Sequence, residues 1–357
     1  MKHHLLTPGP VPIPTFVQEA IAQPVIHHRT AAFHELYRDL LEKMRYLFQT
    51  KEELGLAMGS GTYGVEMAMY SLFKPGSEVL VLENGKFSER WKSYGRTMNL
   101  SVRPMTKSWG QGFQPKEVLE MVKKLPSLKG VVITHCETST GNLLDLEEIS
   151  LALRQERPEL LLLVDGITTI GAVPFYLDAW GIDLAITASQ KALMNPAGTF
   201  LFAMSERAFQ EMPEPHPGDF RHLKTYAQQA RNAAFPFTAP VQLMYGLKAA
   251  LDQVTGQGLP HIWQQVHHTA RTFRQGIKDL GGHMLAEQPS DSLTAFSFPK
   301  TDHEKLRGRL TDQHGFELSG GQGELKGHLL RISHMGSSAD PDLMQAVLEA
   351  IKKEIRS

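Results

Sequence analysis

A chain of 357 residues, 41% hydrophobic and 21% charged, is longer than one hydrophobic core usually supports and too apolar for extended disorder. Its 37 Lys and Arg against 38 Asp and Glu give a formal net charge of −1, so nothing draws it at long range to nucleic acid or to an anionic membrane surface. The one cysteine, Cys136, excludes an intrachain disulfide and a thiolate-only metal site. No window approaches the roughly 20 apolar residues of a membrane span. The start, from Met1 to Leu6, runs into Thr7-Pro8-Gly9-Pro10 without the apolar segment of a secretory signal, so a cytoplasmic location is the expectation.

Residues 1–15 carry Pro8, Pro10, Pro12 and Pro14 and read as an extended arm. From Phe33 to Phe48, the residues Phe33, Leu36, Tyr37, Leu40, Leu41, Met44 and Leu47 recur at helical spacing. Short apolar runs then alternate with helical stretches. The runs are Val79–Leu82, Gly130–Ile133, Leu160–Val164, Leu184–Ile186 and Thr199–Phe202; helical stretches such as Pro115–Leu125 and Leu146–Glu156 lie between them. Apolar side chains at consecutive positions suit strands buried on both faces of a mainly parallel sheet. Pro213, Pro215 and Pro217 mark Met212–Gly218 as a surface loop. Beyond residue 250 come two long helical patterns, Leu259–Leu280 and Pro341–Ile355, and two strand candidates, Leu293–Phe298 and His328–Ile332. The expected organisation is an arm (1–15), a large α/β domain (16–250) and a small α+β domain (251–357).

Four features fall at ends of the expected strands, where open α/β sheets place their ligands. Met58-Gly59-Ser60-Gly61-Thr62 precedes a helical run; it serves either as a turn and N-cap or as a cradle in which helix N–H groups meet a phosphate. Asp165 follows Leu160–Val164 directly and either caps the next turn or keeps a ring nitrogen protonated, as the electron sink of pyridoxal phosphate (PLP) requires. Ser189-Gln190-Lys191 follows Leu184–Ile186 between small and apolar flanks. Partial desolvation there lowers the lysine pKa and makes its amine nucleophilic toward an aldehyde; an isolated lysine is otherwise a solvated surface group. Arg331, within His328–Gly336, is either an exposed strand residue or a bidentate partner for a substrate carboxylate. The order carries more than any one residue: phosphate loop, then acid, then lysine.

At these residues the chain resembles the class V, fold-type I PLP-dependent aminotransferases, close to the serine–pyruvate and alanine–glyoxylate enzymes. The resemblance covers essentially the whole chain. It rests on Leu6–Pro10, His27-His28-Arg29-Thr30, Gly59–Thr62, Thr134–Gly141, Val164-Asp165, Ser189–Leu193 and Arg331–Gly336. It implies a large domain on a mostly parallel seven-stranded sheet and a smaller C-terminal α+β domain. It also implies that Lys191 carries PLP as a Schiff base and shuttles protons, and that Asp165 pairs with the pyridine nitrogen. Ser60, Gly61 and Thr62 would cradle the phosphate, with Gln190 adding a hydrogen bond. Phe87 would stack on the cofactor, its alternative being an ordinary core phenylalanine. Ile167 would pack on the opposite ring face, and Thr138 would lie near the 3′-oxygen. Arg331 would take the substrate α-carboxylate, helped by the backbone near Gly9.

The family's dimers share active sites, and Thr238, in Phe235–Pro240, matches the residue reaching the partner's PLP phosphate. The chain departs from the family at Phe235, where tyrosine is frequent, and at Cys136 and Ser333, where glycine is. Cys136 lies too early in the chain for cysteine-desulfurase chemistry and reads as a buried thiol.

Transamination between a small α-amino acid (alanine or serine type) and a 2-oxo acid (pyruvate or glyoxylate type) is the expected activity. Arg331 is the single candidate carboxylate ligand. A dicarboxylic donor would want a second cation, for which His28, Arg29 and His334 are available. The alternatives are a PLP lyase or hydrolase of the kynureninase type and a non-catalytic subunit of the same fold. A dinucleotide site is weakest, since Gly59-Ser60-Gly61 lacks the third glycine of that fingerprint.

Overall fold

The computed structural model describes residues 3–355, so the first two residues of the expected arm lie outside the described residues. In chain order its elements begin with β1 (His4–Leu5), α1 (Thr15–Ile21), α2 (Ala31–Phe48), β2 (Glu53–Gly59), α3 (Gly61–Leu72), β3 (Glu78–Glu83), α4 (Ser88–Thr97) and β4 (Ser101–Thr106). There follow α5 (Pro115–Lys123), β5 (Leu128–Thr134), β6 (Cys136–Glu137), β7 (Asn142–Leu143), α6 (Leu146–Glu156), β8 (Leu161–Asp165), β9 (Leu184–Ala188) and β10 (Gly198–Met204). Next are α7 (Glu206–Glu211), α8 (Leu223–Ala230), α9 (Val241–Gln257) and α10 (Leu259–Asp279). The C-terminal part adds β11 (His283–Met284), β12 (Leu293–Ser297), α11 (His303–His314), β13 (Phe316–Glu317), β14 (Ser319–Gly320), β15 (Leu330–Ser333) and α12 (Pro341–Ile355).

Seven strands form the main sheet in the order β2-β10-β9-β8-β5-β3-β4. Only β10 runs antiparallel to its neighbours, so the sheet is mostly parallel, as the uninterrupted apolar runs predict. Strands β8 and β9 are buried at every position. Burying each such Val or Leu side chain contributes roughly 1.5–3 kcal/mol. The two edges are handled differently. At β2 the Leu56 N–H donates to the Tyr37 hydroxyl of α2, 3.3 Å away. Edge strand β4 carries Pro104, which has no N–H to leave unpaired, and is exposed or half-buried throughout.

A second, antiparallel sheet has the order β11-β12-β15-β14 and backs onto α10 and α11, against which α12 packs. Its apolar cluster includes Phe273, Phe296, Leu306, Ile332 and Val347, apart from the large cluster around the main sheet. The arm joins the smaller cluster to a third one. Leu6 is fully buried in the smaller cluster, and β1 pairs in parallel with β13. Farther on, Val11 packs with Ala172, Ala192, Met194 and Met335. Among the described residues, no helix is long and apolar enough to cross a membrane.

Candidate active site

The carboxyl ends of the parallel strands bring the chemistry together. Strand pairing sets Thr134 of β5 and Ile186 of β9 on either side of Asp165, the last residue of β8. Asp165 is 5% exposed, and its Oδ1 accepts the Ile167 N–H at 3.1 Å. Burial pushes this carboxyl up to about 7, and the charge of Glu137 acts in the same direction. The Ile167 N–H, Lys191 and Arg90 oppose that rise.

Lys191 stands on a tight turn leaving β9. Ser189 Oγ donates to the Pro196 carbonyl (2.7 Å), Asn195 N–H to the Ser189 carbonyl (2.9 Å) and Met194 N–H to the Lys191 carbonyl (2.9 Å). The half-buried lysine points its Nζ at the arm, donating to the Pro8 carbonyl at 2.7 Å. Burial lowers its pKa to about 8, helped by the nearby Arg331 guanidinium and opposed by Asp165 and Cys136. The arm passes so close that a Cβ on Gly9, whose φ is +121°, would stand 2.2 Å from Lys191 Nζ. Val11 N–H then donates to the Gln190 carbonyl (3.1 Å), tying the arm to the same turn.

Ser60 is the N-cap of α3, its Oγ accepting the Tyr63 N–H at 3.2 Å. Gly61 and Thr62 open the helix, where first-turn N–H groups lack intrahelical partners. A Cβ on Gly61 would stand 2.7 Å from Ile167 Cδ1 and 2.9 Å from Ala188 Cβ, so glycine lets the phosphate loop, Ile167 and β9 meet. Gln190 is half-buried, and its Oε1 is buried without a partner. Arg331, on β15, is 5% exposed; Nε donates to the Gly320 carbonyl and Nη1 to the Thr138 carbonyl, both at 3.0 Å. Burial lowers its pKa to about 10, so the guanidinium remains charged near neutrality, with Glu137 supporting the charge. Thr138 Oγ1 lies 3.2 Å from Thr168 Oγ1. Phe87 is half-buried immediately before α4, with the Arg90 guanidinium 4.6 Å from its ring centroid.

Thr238 is not brought into this group: it is exposed in the stretch before α9. Phe235 is buried against Tyr37 and Tyr226. Cys136 is 3% exposed, and burial raises its thiol to about 11, as a structural cysteine requires. His334 does not supply a second cation. It is fully buried, its Nε2 lies 2.8 Å from Thr294 Oγ1, and burial lowers its pKa to about 3. His28 and Arg29 lie in the turn before α2.

Sequence reasoning missed the Pro8 carbonyl, Arg90, Thr168 and above all Glu137. A charged residue inside Cys136–Gly141, otherwise small and uncharged, was the available signal: such a charge is buried only when partners surround it. The assembled residues fit PLP. An amine of lowered pKa can take an aldehyde, a buried acid can face a ring nitrogen, and a helix start opened by Gly61 can take a phosphate.

Comparison with known proteins agrees with this arrangement. The family described as aminotransferase class-V matches residues 15–333. The soluble hydrogenase 42 kDa subunit of Anabaena cylindrica is 31% identical over 99% of this chain and 94% of its own length. The serine–glyoxylate aminotransferase of Methylorubrum extorquens is 30% identical over 98% of this chain and 90% of its own. The crystal structure of alanine–glyoxylate aminotransferase from Nostoc sp. superposes with a TM-score of 0.94 at 28% identity, covering 100% of this chain and 96% of that one. With a buried acid, a desolvated lysine and a glycine-opened helix start at the ends of one parallel sheet, the chain belongs to the class-V aminotransferases.

Proposed function

We propose that this chain is a PLP-dependent aminotransferase that moves an amino group between a small α-amino acid, of alanine or serine type, and a 2-oxo acid such as pyruvate or glyoxylate. The observation that carries the reading is the grouping of Asp165, Lys191 and Arg331, with the charges of Asp165 and Arg331 both acting on the lysine and Lys191 held on the arm through Pro8. When bound, the cofactor supplies an aldehyde for the amino group and a protonated ring that withdraws electrons.

Lys191 would hold the cofactor covalently and would move a proton at the substrate Cα. Asp165 keeps the ring nitrogen protonated. Ser60, Gly61, Thr62 and Gln190 bind the phosphate, and Thr238 of a second copy completes that binding in a homodimer. Phe87 and Ile167 would flank the ring, with Thr138 near its 3′-oxygen. Arg331 and the backbone at Gly9 orient the substrate α-carboxylate; two of the guanidinium's N–H groups are engaged by carbonyls and the others are free to pair with it. We take residues 16–250 as the cofactor-binding unit, 251–357 as the small unit, and the cytoplasm as the location.

A scaffold would need neither Asp165 nor Lys191. Incubating cofactor-loaded protein with alanine alone tests the reading. It should release one pyruvate per site and lose the aldehyde-state absorbance; an unchanged spectrum with alanine, serine and aspartate alike would overturn it. Pairing each donor with pyruvate, glyoxylate and 2-oxoglutarate then identifies the substrates.

A further inference from the structure

Glu137 is fully buried, yet N–H and hydroxyl donors surround it rather than a paired cation. Its Oε2 accepts Ser88 N–H (2.9 Å) and Phe87 N–H (3.1 Å), and Ser88 Oγ lies 2.9 Å away. Its Oε1 accepts Ser139 N–H (3.1 Å) and the Ser139 hydroxyl (2.6 Å). Ser139 Oγ in turn accepts Lys86 N–H at 3.1 Å. The carboxylate therefore grips, directly or through Ser139, consecutive N–H groups of the turn that carries Phe87.

That turn starts α4, and its own sequence leaves the helix uncapped: Phe87 stands at the N-cap position and offers no side-chain acceptor. Helices α6, α7 and α11 use their own Asp145, Ser205 and Asp302. For α4 a carboxylate from β6, distant in sequence, meets the unpaired N–H groups and the positive end of the helix dipole. The fit is mutual: a Cβ on Gly85 would stand 2.3 Å from Glu137 Cγ and 2.5 Å from its Cδ, so the turn needs glycine there to admit the carboxylate. Arg90 meanwhile stands over one face of the Phe87 ring, 4.6 Å from its centroid.

We propose that Glu137 is a positioning residue that sets the Phe87 ring as the stacking wall for the cofactor. This rests on the PLP reading above and goes beyond it in assigning how the wall is held. Glu137 contacts main chain and serines, so its packing effect on the cofactor passes through Phe87; its charge also acts on Asp165 and Arg331, a part that Phe87→Leu leaves in place.

The test is a double-mutant cycle of Glu137→Gln and Phe87→Leu, read by PLP affinity and by the visible circular dichroism of the bound cofactor. Glutamine keeps the size but sets an NH2 group against N–H donors. PLP affinity should fall about 10–100-fold in the Glu137→Gln protein, with a weakened dichroic band, because buried donors are left unsatisfied beside the ring. In the Phe87→Leu background the same change should cost less than about threefold, since residues acting through one contact are not additive. Gly85→Ala, which displaces Glu137 from the other side, should reproduce the Glu137→Gln spectrum. Equal losses in both backgrounds, or unchanged affinity and dichroism with only a lower melting point, would overturn the proposal. Should Glu137→Gln not fold, Ser139→Ala takes its place in the cycle with the same expectation and the same refutation. A wild-type protein that fails to bind PLP at Lys191 overturns the functional reading and this inference with it; PLP bound at Lys191 with additive losses overturns the inference alone.

Discussion

Replacing Gly9 with alanine separates the arm's conformational role from its contact with the lysine. The added Cβ would stand 2.2 Å from Lys191 Nζ, 2.4 Å from Cδ and 2.5 Å from Cε, at a backbone φ of +121° that alanine tolerates poorly. The backbone cannot step aside easily. Leu6 N–H donates to the Glu317 carbonyl (2.9 Å) and Ser333 N–H to the Leu6 carbonyl (2.8 Å) on one side, while Val11 N–H holds the Gln190 carbonyl on the other. The flexible lysine yields instead. Strain at the positive φ costs roughly 1–3 kcal/mol. Loss of the Nζ–Pro8 hydrogen bond adds about 1–2 kcal/mol, because the partly solvated amine recovers some of it from water. Together these lower the melting point of cofactor-free protein by roughly 3–7 °C. The amine is also displaced from its set position, so PLP capture, followed by stopped-flow absorbance, should slow by about 10²-fold. With Lys191→Ala as background the clash is gone, and only the φ strain of roughly 1–3 kcal/mol should remain. Equal destabilisation in both backgrounds, or a Gly9→Ala protein that captures PLP at the normal rate, would refute this reasoning.

The other expectations concern charge. Because burial lowers the Lys191 pKa to about 8, PLP capture by cofactor-free protein should accelerate as pH rises through about 8 and then level off; a midpoint at the ordinary lysine value of 10.5 contradicts the site's electrostatics. Asp165 binds its proton more tightly folded than unfolded. Its contribution is therefore complete below pH 3.8 and lost as pH rises through about 7, so the melting point of cofactor-free wild type should fall relative to Asp165→Asn between pH 5 and 7 and run parallel above it. A constant difference across that range would remove the shift. Arg331→Lys should keep the fold and PLP binding but lose roughly 2–4 kcal/mol of transition-state stabilisation, read as kcat/KM for alanine, because an ammonium cannot form the two-pronged carboxylate contact. Less than about a threefold loss would move the carboxylate elsewhere.

Much of this architecture was legible because its signals are local. Val79–Leu82, Gly130–Ile133 and Leu160–Val164 are apolar at every position, and each became a strand of the parallel sheet buried on both faces. Asp165 directly follows such a run and Lys191 comes five residues after another, so chain order placed each at a strand end; that the two strands are neighbours is seen in the sheet. Elements governed by distant partners gave less warning. Strand β1 exists because residues 316 and 317 pair with it, and β4 is exposed or half-buried with a proline in its middle, so neither shows an apolar run. The serine-rich stretch around Glu137 shows no periodicity, and its role appears only when β6 meets the start of α4. His334 reads in sequence as an available cation, but β12 and α10 bury it and leave it neutral. The exposed position of Thr238 is the other non-local case: a single chain does not bring it to the lysine, and a second copy is what the proposed function requires.

The central claim is that Lys191 carries the cofactor, and borohydride trapping tests it most directly. Purified protein is loaded with PLP, reduced, digested and mapped by mass spectrometry, with Lys191→Ala treated in parallel. The account predicts a stable pyridoxyl adduct on the peptide containing Lys191 and none in the variant. An adduct on another lysine, or equal labelling of the Lys191→Ala protein, would contradict it.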